Sequence, residues 1–378
     1  MMRRILSIML LCCLLLAGCS DPEVPETTAP STAEPVVTTV ETAAPETESV
    51  TELPETTEAP TEAPTETESP ETTEAPLTPE EQARLDFYDL FWELDPDQTD
   101  AWLEANPEYF ENGYWGISVN KAWLTDNGLD LYTTEGHQVL AIDAENRILI
   151  LQARLNNSRA VMAIAKDASR LHLCPAKELG RVGEKIGSIA SRNNGLLAMT
   201  GSGFVDPGGS GNGGQIAGYC MCGTDYEAGK HFGWNYARFE LREDNWALVT
   251  RADGPCSQMC TDAMEFEPAL LIDGEFQDPG IWTGENPRTC IGQTWRKEIL
   301  MLGVEGRFSD SPGCSVMECA KLMKDYGGVN AINVDGGTTA IVWYLGKPIM
   351  RCSNLNSPDG RYLPNAWVYT AESEEDAG

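Results

Sequence analysis

Ala331-Ile332-Asn333-Val334-Asp335-Gly336-Gly337-Thr338-Thr339-Ala340-Ile341-Val342-Trp343-Tyr344 sets two apolar runs on either side of a polar, glycine-bearing turn. Short apolar runs bounded by turn residues read as buried strands, and the same texture extends outward from this stretch. Residues 139–143 and 147–151 flank Ala144-Glu145-Asn146 as a hairpin, 160–165 form a buried strand, and 196–199, 269–272 and 299–304 are further strands. Helical spacing interrupts them twice. In 183–193 it turns Ile186, Ile189 and Ala190 inward, and in 315–325 it runs through Val316, Ala320, Leu322 and Met323. The fold class this predicts is mixed α/β, predominantly β sheet with flanking helices and without internal repeats.

The first 113 residues have a different character. Arg3 and Arg4 precede an apolar run over 5–16, the n- and h-regions of an export signal. A dozen apolar residues is too short for a hydrocarbon core that needs roughly 20. Leu16-Ala17-Gly18-Cys19 resembles the lipobox of bacterial lipoproteins, which implies cleavage after residue 18, lipidation of Cys19 and an extracytoplasmic, membrane-anchored protein. The alternative is an ordinary cleaved signal. Residues 20–77 contain no Lys, no Arg and no aromatic residue, and repeat Thr, Glu, Pro and Ala. Such a segment has nothing to offset the entropy of ordering, so 19–77 is expected to be a disordered, extended tether. At ~3.1 Å per residue it reaches on the order of 150 Å. Thr78-Pro79-Glu80-Glu81 is a helix start. It opens a short helical segment, 78–113, with an apolar face of Leu85, Tyr88, Leu90 and Phe91 that packs on the main domain or acts as a spacer. Residues 114–378 form the main domain.

Much of the formal net charge of -33 lies in the tether, and the remainder is also acidic, which argues against nucleic acid as a partner. Nine cysteines follow the tether. In an exported protein they read first as disulfides, with at least one left over. Zinc held by Cys220, Cys222, Cys256 and Cys260 is a second reading, at spacings unlike the usual knuckles. Reduced core thiols are a third. His137, His172 and His231 are scattered and carry no motif. No cofactor-binding motif stands out.

Three segments are richer in chemistry than a passive fold requires. After the apolar 196–199, which delivers the chain to a sheet edge, Thr200-Gly201-Ser202-Gly203-Phe204-Val205-Asp206-Pro207 leads into glycines as far as Gly214. Glycines let a backbone approach a ligand and aim N–H groups at an anion; a plain surface loop is the alternative. The segment is neither a Walker loop nor a serine-hydrolase elbow. Asn286-Pro287-Arg288-Thr289-Cys290-Ile291-Gly292-Gln293 offers Arg288, whose donors match two phosphate or carboxylate oxygens; a surface ion pair is the bland reading. Asp335-Gly336 is either a hairpin turn or a carboxyl whose buried setting raises its pKa for proton transfer. Asp273-Gly274 is read as a turn only.

Together these segments resemble the phosphodiester glycosidase domain family, known from the uncovering enzyme and from exopolysaccharide-associated bacterial proteins. The first block is Val161-Met162-Ala163-Ile164-Ala165-Lys166-Asp167, then 183–194, then Ala198-Met199-Thr200-Gly201-Ser202-Gly203-Phe204. The second is Pro287-Arg288-Thr289-Cys290-Ile291-Gly292-Gln293 with Leu302-Gly303-Val304-Glu305-Gly306-Arg307, and the third is 331–339. They occur in the family's order across roughly residues 140–350. Thr200 stands where the family carries Asn, Ser202 interrupts the glycines, and Thr338 directly follows Gly337.

The resemblance implies hydrolysis of a sugar-1-phosphate diester at the glycosidic C–O bond, in wall or exopolysaccharide glycan, without a cofactor. In that reading Arg288 holds the phosphate, assisted by backbone N–H groups at Gly336 and Gly337. Asp335 is the general base or oxocarbenium stabiliser, and Asp206 is its weaker partner. Thr200, Gly201, Gly203, Thr289, Asn333, Thr338 and Thr339 surround the sugar or phosphate. Such a substrate in an acidic protein requires a local positive patch, expected around Arg288. A non-catalytic glycan-binding module is the alternative, with Trp282 and Trp295 as platforms.

Overall fold

The computed structural model describes residues 77–107 and 129–372. Cys19, the signal, the tether and the expected boundary at residue 114 lie outside the described residues. Among the described residues no helix is long and apolar enough to cross a membrane.

The helical segment begins where the sequence placed it. Thr78 caps α1 (Pro79–Leu90) in a full capping box with Glu81, and Asp95 caps α2 (Pro96–Ala105). Each cap satisfies N–H groups that the first turn leaves open. The buried face differs from the expected one: Phe87 and Phe91 are buried, whereas Leu85 is 47% exposed.

Strands follow as β1 (Gln138–Asp143), β2 (Ile148–Leu155), β3 (Ser158–Ala165) and β4 (Leu171–Pro175). Then come α3 (Ile186–Arg192), β5 (Gly195–Thr200), β6 (Tyr219–Met221), β7 (Glu227–Gly229), β8 (Gly233–Arg242), β9 (Ala247–Ala252) and β10 (Cys260–Phe266). After β11 (Ala269–Ile272) and β12 (Glu275–Phe276), the chain forms β13 (Arg288–Thr294) and β14 (Ile299–Val304). It ends with α4 (Val316–Asp325), β15 (Gly328–Val334), β16 (Val342–Tyr344), β17 (Lys347–Pro348) and β18 (Asn365–Thr370). The expected hairpins form at 144–147 and at Asp273-Gly274, where both residues adopt positive φ.

The strands make an eight-stranded sheet, β1-β2-β3-β14-β13-β15-β11-β12, and two five-stranded sheets, β7-β6-β10-β8-β9 and β17-β16-β5-β18-β4. The fold is mixed α/β and mostly sheet, as its texture predicts. Strand β3 shows why an unbroken apolar run works here. Successive side chains of a strand point to opposite faces. Val161, Ala163 and Ala165 enter the central core between the sheets. Ala160, Met162 and Ile164 enter a second core beneath α1, α2 and α4. Both faces are dry, so both registers are apolar. Helix α3 covers the far side of the third sheet through Ile186, Ile189 and Ala190.

One buried ionic cluster ties the N-terminal helices down. Lys166 Nζ lies 2.5 Å from Glu93 Oε1 and 2.9 Å from Glu298 Oε1, and Trp92 Nε1 donates to Glu298. All nine cysteines are unbonded, and the Cys314 and Cys319 sulfurs lie 3.4 Å apart. Among the described residues no three His, Cys, Asp or Glu side chains form a metal-binding group, so the four-cysteine zinc reading has no site there.

Candidate active site

The stretch 331–344 is not a hairpin: β15 belongs to the large sheet and β16 to the third. The turn between them carries the chain from one sheet to the other, and that jump opens a pocket at their ends. Residues 337–339 wind into a single 3-10 turn, starting at Gly337 with φ +62. A Cβ on Gly336 would lie 2.8 Å from the Pro287 carbonyl oxygen, so the turn sits directly on the second block. Gly337 N–H donates to Pro287 O at 3.0 Å, and Thr289 Oγ1 donates to the Asp335 carbonyl. From the first block, Thr200 Oγ1 donates to Thr339 O at 2.6 Å. The three blocks are thus bolted together around the turn.

The pocket they enclose measures about 490 Å³. Asp335 and Gly336 to Thr339 form its floor, Phe204, Asp206 and Gly209 one wall, and Arg307, Asn354 and Arg361 the remainder. Its two carboxyls sit in opposite environments. Burial pushes Asp335 up to about 7, against smaller opposing effects of the Thr339 hydroxyl, the Gly336 N–H and Arg361. Asp206 is held below the usual carboxylate range, chiefly by Arg361. Arg361 Nη1 and Nη2 reach Asp206 Oδ2 and Oδ1 at 2.5 and 2.8 Å, and its guanidinium lies 4.7 Å from the Phe204 ring centre. One carboxyl therefore stays ionised while the other gains and loses its proton near neutrality, the separation of roles expected of an acid–base site.

Several expectations need correction. Arg288 does not reach the pocket. It is 3% exposed, donates from Nε to Cys314 O at 3.2 Å and from Nη2 to Gly284 O at 2.6 Å, and its guanidinium lies 5.6 Å from the Trp282 ring centre. It joins two loops behind the site. Arg288→Ala is expected to cost roughly 2–3 kcal/mol of stability, the scale of losing hydrogen bonds from a charged group. Denaturant unfolding checks this, with kcat per folded molecule nearly unchanged.

Thr200, Thr289 and Asn333 are buried and spend their polar groups on the protein; Asn333 Nδ2 donates to Glu267 O. Gly201 and Gly203 lie behind the wall, where a Cβ would strike Asn365 and the Phe266 ring respectively. Strand β5 is central in its sheet, so the glycine loop leaves the sheet's end and not its edge. Trp282 and Trp295 do not line the pocket.

The free positive charge expected at Arg288 is supplied instead by Arg307, because the other arginine of the pocket, Arg361, is paired with Asp206. Arg307 is exposed, and its Nη2 contacts Asn286 Oδ1 at 3.4 Å. Among the described residues it has no carboxylate partner. Its loop is fixed from below by the buried Glu305, which accepts from Arg351 and Arg159. Arg307 stands within the second block and was legible there as an unassigned cation. Arg361, in Asp359-Gly360-Arg361, lies beyond the three blocks.

A family model described as phosphodiester glycosidase matches residues 193–370. Among solved structures, the catalytic domain of zebrafish N-acetylglucosamine-1-phosphodiester alpha-N-acetylglucosaminidase, auto-inhibited by its pro-peptide, is similar at 19% identity. The match covers 60% of this chain and 82% of that one, with a TM-score of 0.49. A hypothetical protein from Synechocystis is 13% identical over 58% of this chain and 61% of its own, with a TM-score of 0.42. A putative exported protein from Burkholderia pseudomallei is 12% identical over 56% and 74%, with a TM-score of 0.39. No curated protein matches the chain. The matched range starts inside the first block, past Val161 to Asp167, and runs beyond the third to include Arg361. Residues 193–370, which hold every side chain lining the pocket, carry the phosphodiester glycosidase family pattern.

Proposed function

We infer that the pocket hydrolyses a sugar-1-phosphate diester at the glycosidic C–O bond, as a cell-surface lipoprotein anchored through Cys19. The observation that carries the chemistry is that Asp335, poised near neutrality, and Arg307, without a carboxylate partner among the described residues, line one small pocket. The anchor and location rest on the export signal and the lipobox-like 16–19.

In this reading Arg307 holds the phosphodiester oxygens, the role that Arg288 cannot fill. Water attacks the anomeric carbon, its proton passing to the Asp335 carboxylate. The C1–O bond breaks with its electron pair remaining on the departing phosphate monoester. A phosphate is a good leaving group whose growing charge a positioned guanidinium stabilises. Asp206 is ionised, but both its oxygens are held by Arg361, so its role is to fix the wall of the pocket beside Phe204. Thr338 and Asn354 line the same pocket and offer hydrogen bonds to sugar hydroxyls.

The test is the full chain incubated with a panel of sugar-1-phosphate diesters, scoring free reducing sugar. Release from at least one member is expected. Folded protein that releases nothing yet retains wall glycan would favour a non-catalytic binding module. Arg307→Ala is expected to lower kcat/KM by roughly 10²–10³-fold, the scale of removing one preorganised donor from a developing anion, with partial rescue by Lys.

The pH profile follows from the sign of the Asp335 shift. Its base form is the carboxylate, so kcat/KM rises with pH through an apparent pKa of about 7 and levels off above it. A profile flat from pH 5 to 8 contradicts Asp335 as the base.

A further inference from the structure

A second and larger cavity, about 1010 Å³, lies on the other side of the wall that carries Phe204 and Asp206. The wall is a two-stranded ribbon: Phe204 bridges Ile216, Val205 N–H donates to Gln215 O, and Ala217 N–H donates to Gly203 O. Phe204 and Asp206 line the first pocket and Val205 lines the second. With Gln215, Ile216 and Ala217 also lining the second cavity, the ribbon borders both.

We propose that this second cavity is a glycan-chain subsite, binding the part of an anionic, phosphate-bearing glycan that extends beyond the scissile diester. The inference rests on the proposed hydrolysis for its register, though not for its chemistry. Tyr226 and Phe232 present aromatic surface, 39% and 36% exposed, and Asn212 and Gln215 add exposed amides. Aromatic faces flanked by amides suit sugar rings, which are apolar on their faces and polar at their edges. Lys230 lines the same cavity, is exposed, and has no carboxylate partner among the described residues. In a chain with 26 basic and 59 acidic side chains, an unpaired cation beside aromatic surface selects for negative charge.

The cavity is also built rather than incidental. Buried Glu265 is fully covered and contacts His231 Nδ1 at 2.5 Å while accepting the Phe232 N–H at 2.9 Å. It also accepts the Tyr219 N–H, so a single carboxylate fixes the backbone that carries Lys230, His231 and Phe232. The Phe232 ring stacks on Tyr236 with centroids 4.1 Å apart and is seated against Gly218.

The experiment compares two substrates on the full chain. One is a soluble glycan whose repeats are joined by sugar-1-phosphate diesters, and the other is the methyl phosphodiester of the same sugar. Lys230→Gln and Phe232→Ala are each expected to lower kcat/KM for the polymer about tenfold, the scale of one lost binding contact. For the short diester the change stays within about twofold. Equal losses on both substrates, or none on the polymer, would overturn the subsite. Should the wild type turn over neither substrate, affinity electrophoresis in the polymer decides. Retardation lost in both variants sustains the subsite while the hydrolytic reading falls, and retardation unchanged overturns it. Lys230→Gln alters only an exposed side chain, so it remains informative if Phe232→Ala fails to fold.

Discussion

Asp335→Asn is expected to lower kcat by roughly 10²–10⁴-fold, the range that a positioned general acid–base group contributes. Asn keeps the shape and hydrogen-bonding capacity of the carboxyl but cannot take a proton from water. The polar support of the turn survives, because Thr289 and Gly337 act through backbone groups at 335 and 287. Substrate binding should persist, which isothermal titration with the polymer or the short diester measures.

Stability supplies a second readout with its own sign. The folded-state pKa of Asp335, about 7, lies above the ordinary carboxylate value near 3.9. Its favourable contribution is therefore complete below the unfolded value and is lost as pH rises through the folded one. Asn carries no charge at any of these pH values. Thermal melts of Asp335→Asn should match wild type near pH 4, then gain on it as pH rises toward 8. A variant that is inactive and also less stable at pH 8 would indicate a structural role for Asp335.

Lys166→Met carries the largest expected cost to stability, about 3–5 kcal/mol, as found when one partner of a buried pair is removed. The Lys166 side chain is 1% exposed and pairs with two carboxylates of similar burial. Burial already pushes Glu93 upward, and the nearby Glu298 charge adds to the shift. Without the ammonium, Glu93 loses its ion-pair partner beside Phe91 and Trp92, and among the described residues Glu298 keeps only Arg296 Nε, at 3.9 Å, as an ion-pair partner. Urea unfolding at pH 7 checks the value. Adding Glu93→Gln and Glu298→Gln should recover much of the loss, since the penalty arises from uncompensated charge. A single variant as stable as wild type would mean that this cluster does not hold α1 and α2 on the large sheet.

Which parts of the molecule were legible in the sequence follows from what determines each of them. Period and burial are written in residue type, so β3, β14, β15, α3 and α4 appear where their apolar spacing puts them. Thr78 and Glu81 signal the α1 capping box because a cap is local chemistry. The face of α1 was not legible. Leu85 and Phe87 are both apolar, and only the docking angle onto the large sheet decides that Phe87 is covered.

The site shows the same division. Asp335 and the turn 336–339 stand out because a carboxyl, two glycines and two hydroxyls lie between buried strands, though Asp-Gly alone reads equally as a hairpin turn. The placement of Arg288 was not recoverable, since an arginine that feeds buried carbonyls and one that faces a ligand look alike in sequence. Thr200 and Thr289 misled for a related reason: their hydroxyls satisfy neighbouring carbonyls and so bolt the blocks together, whereas Thr338 and Thr339 do line the pocket. Arg361 reaches the pocket only because the long connection between β17 and β18 folds back onto Asp206.

The most direct test of the account is hydrolysis in ¹⁸O-labelled water, with both products analysed by mass spectrometry. Cleavage of the glycosidic C–O bond puts the label on the released sugar and leaves the phosphate monoester unlabelled, and this is the result expected. Label appearing in the phosphate would mean attack at phosphorus and would contradict the roles given to Asp335 and Arg307.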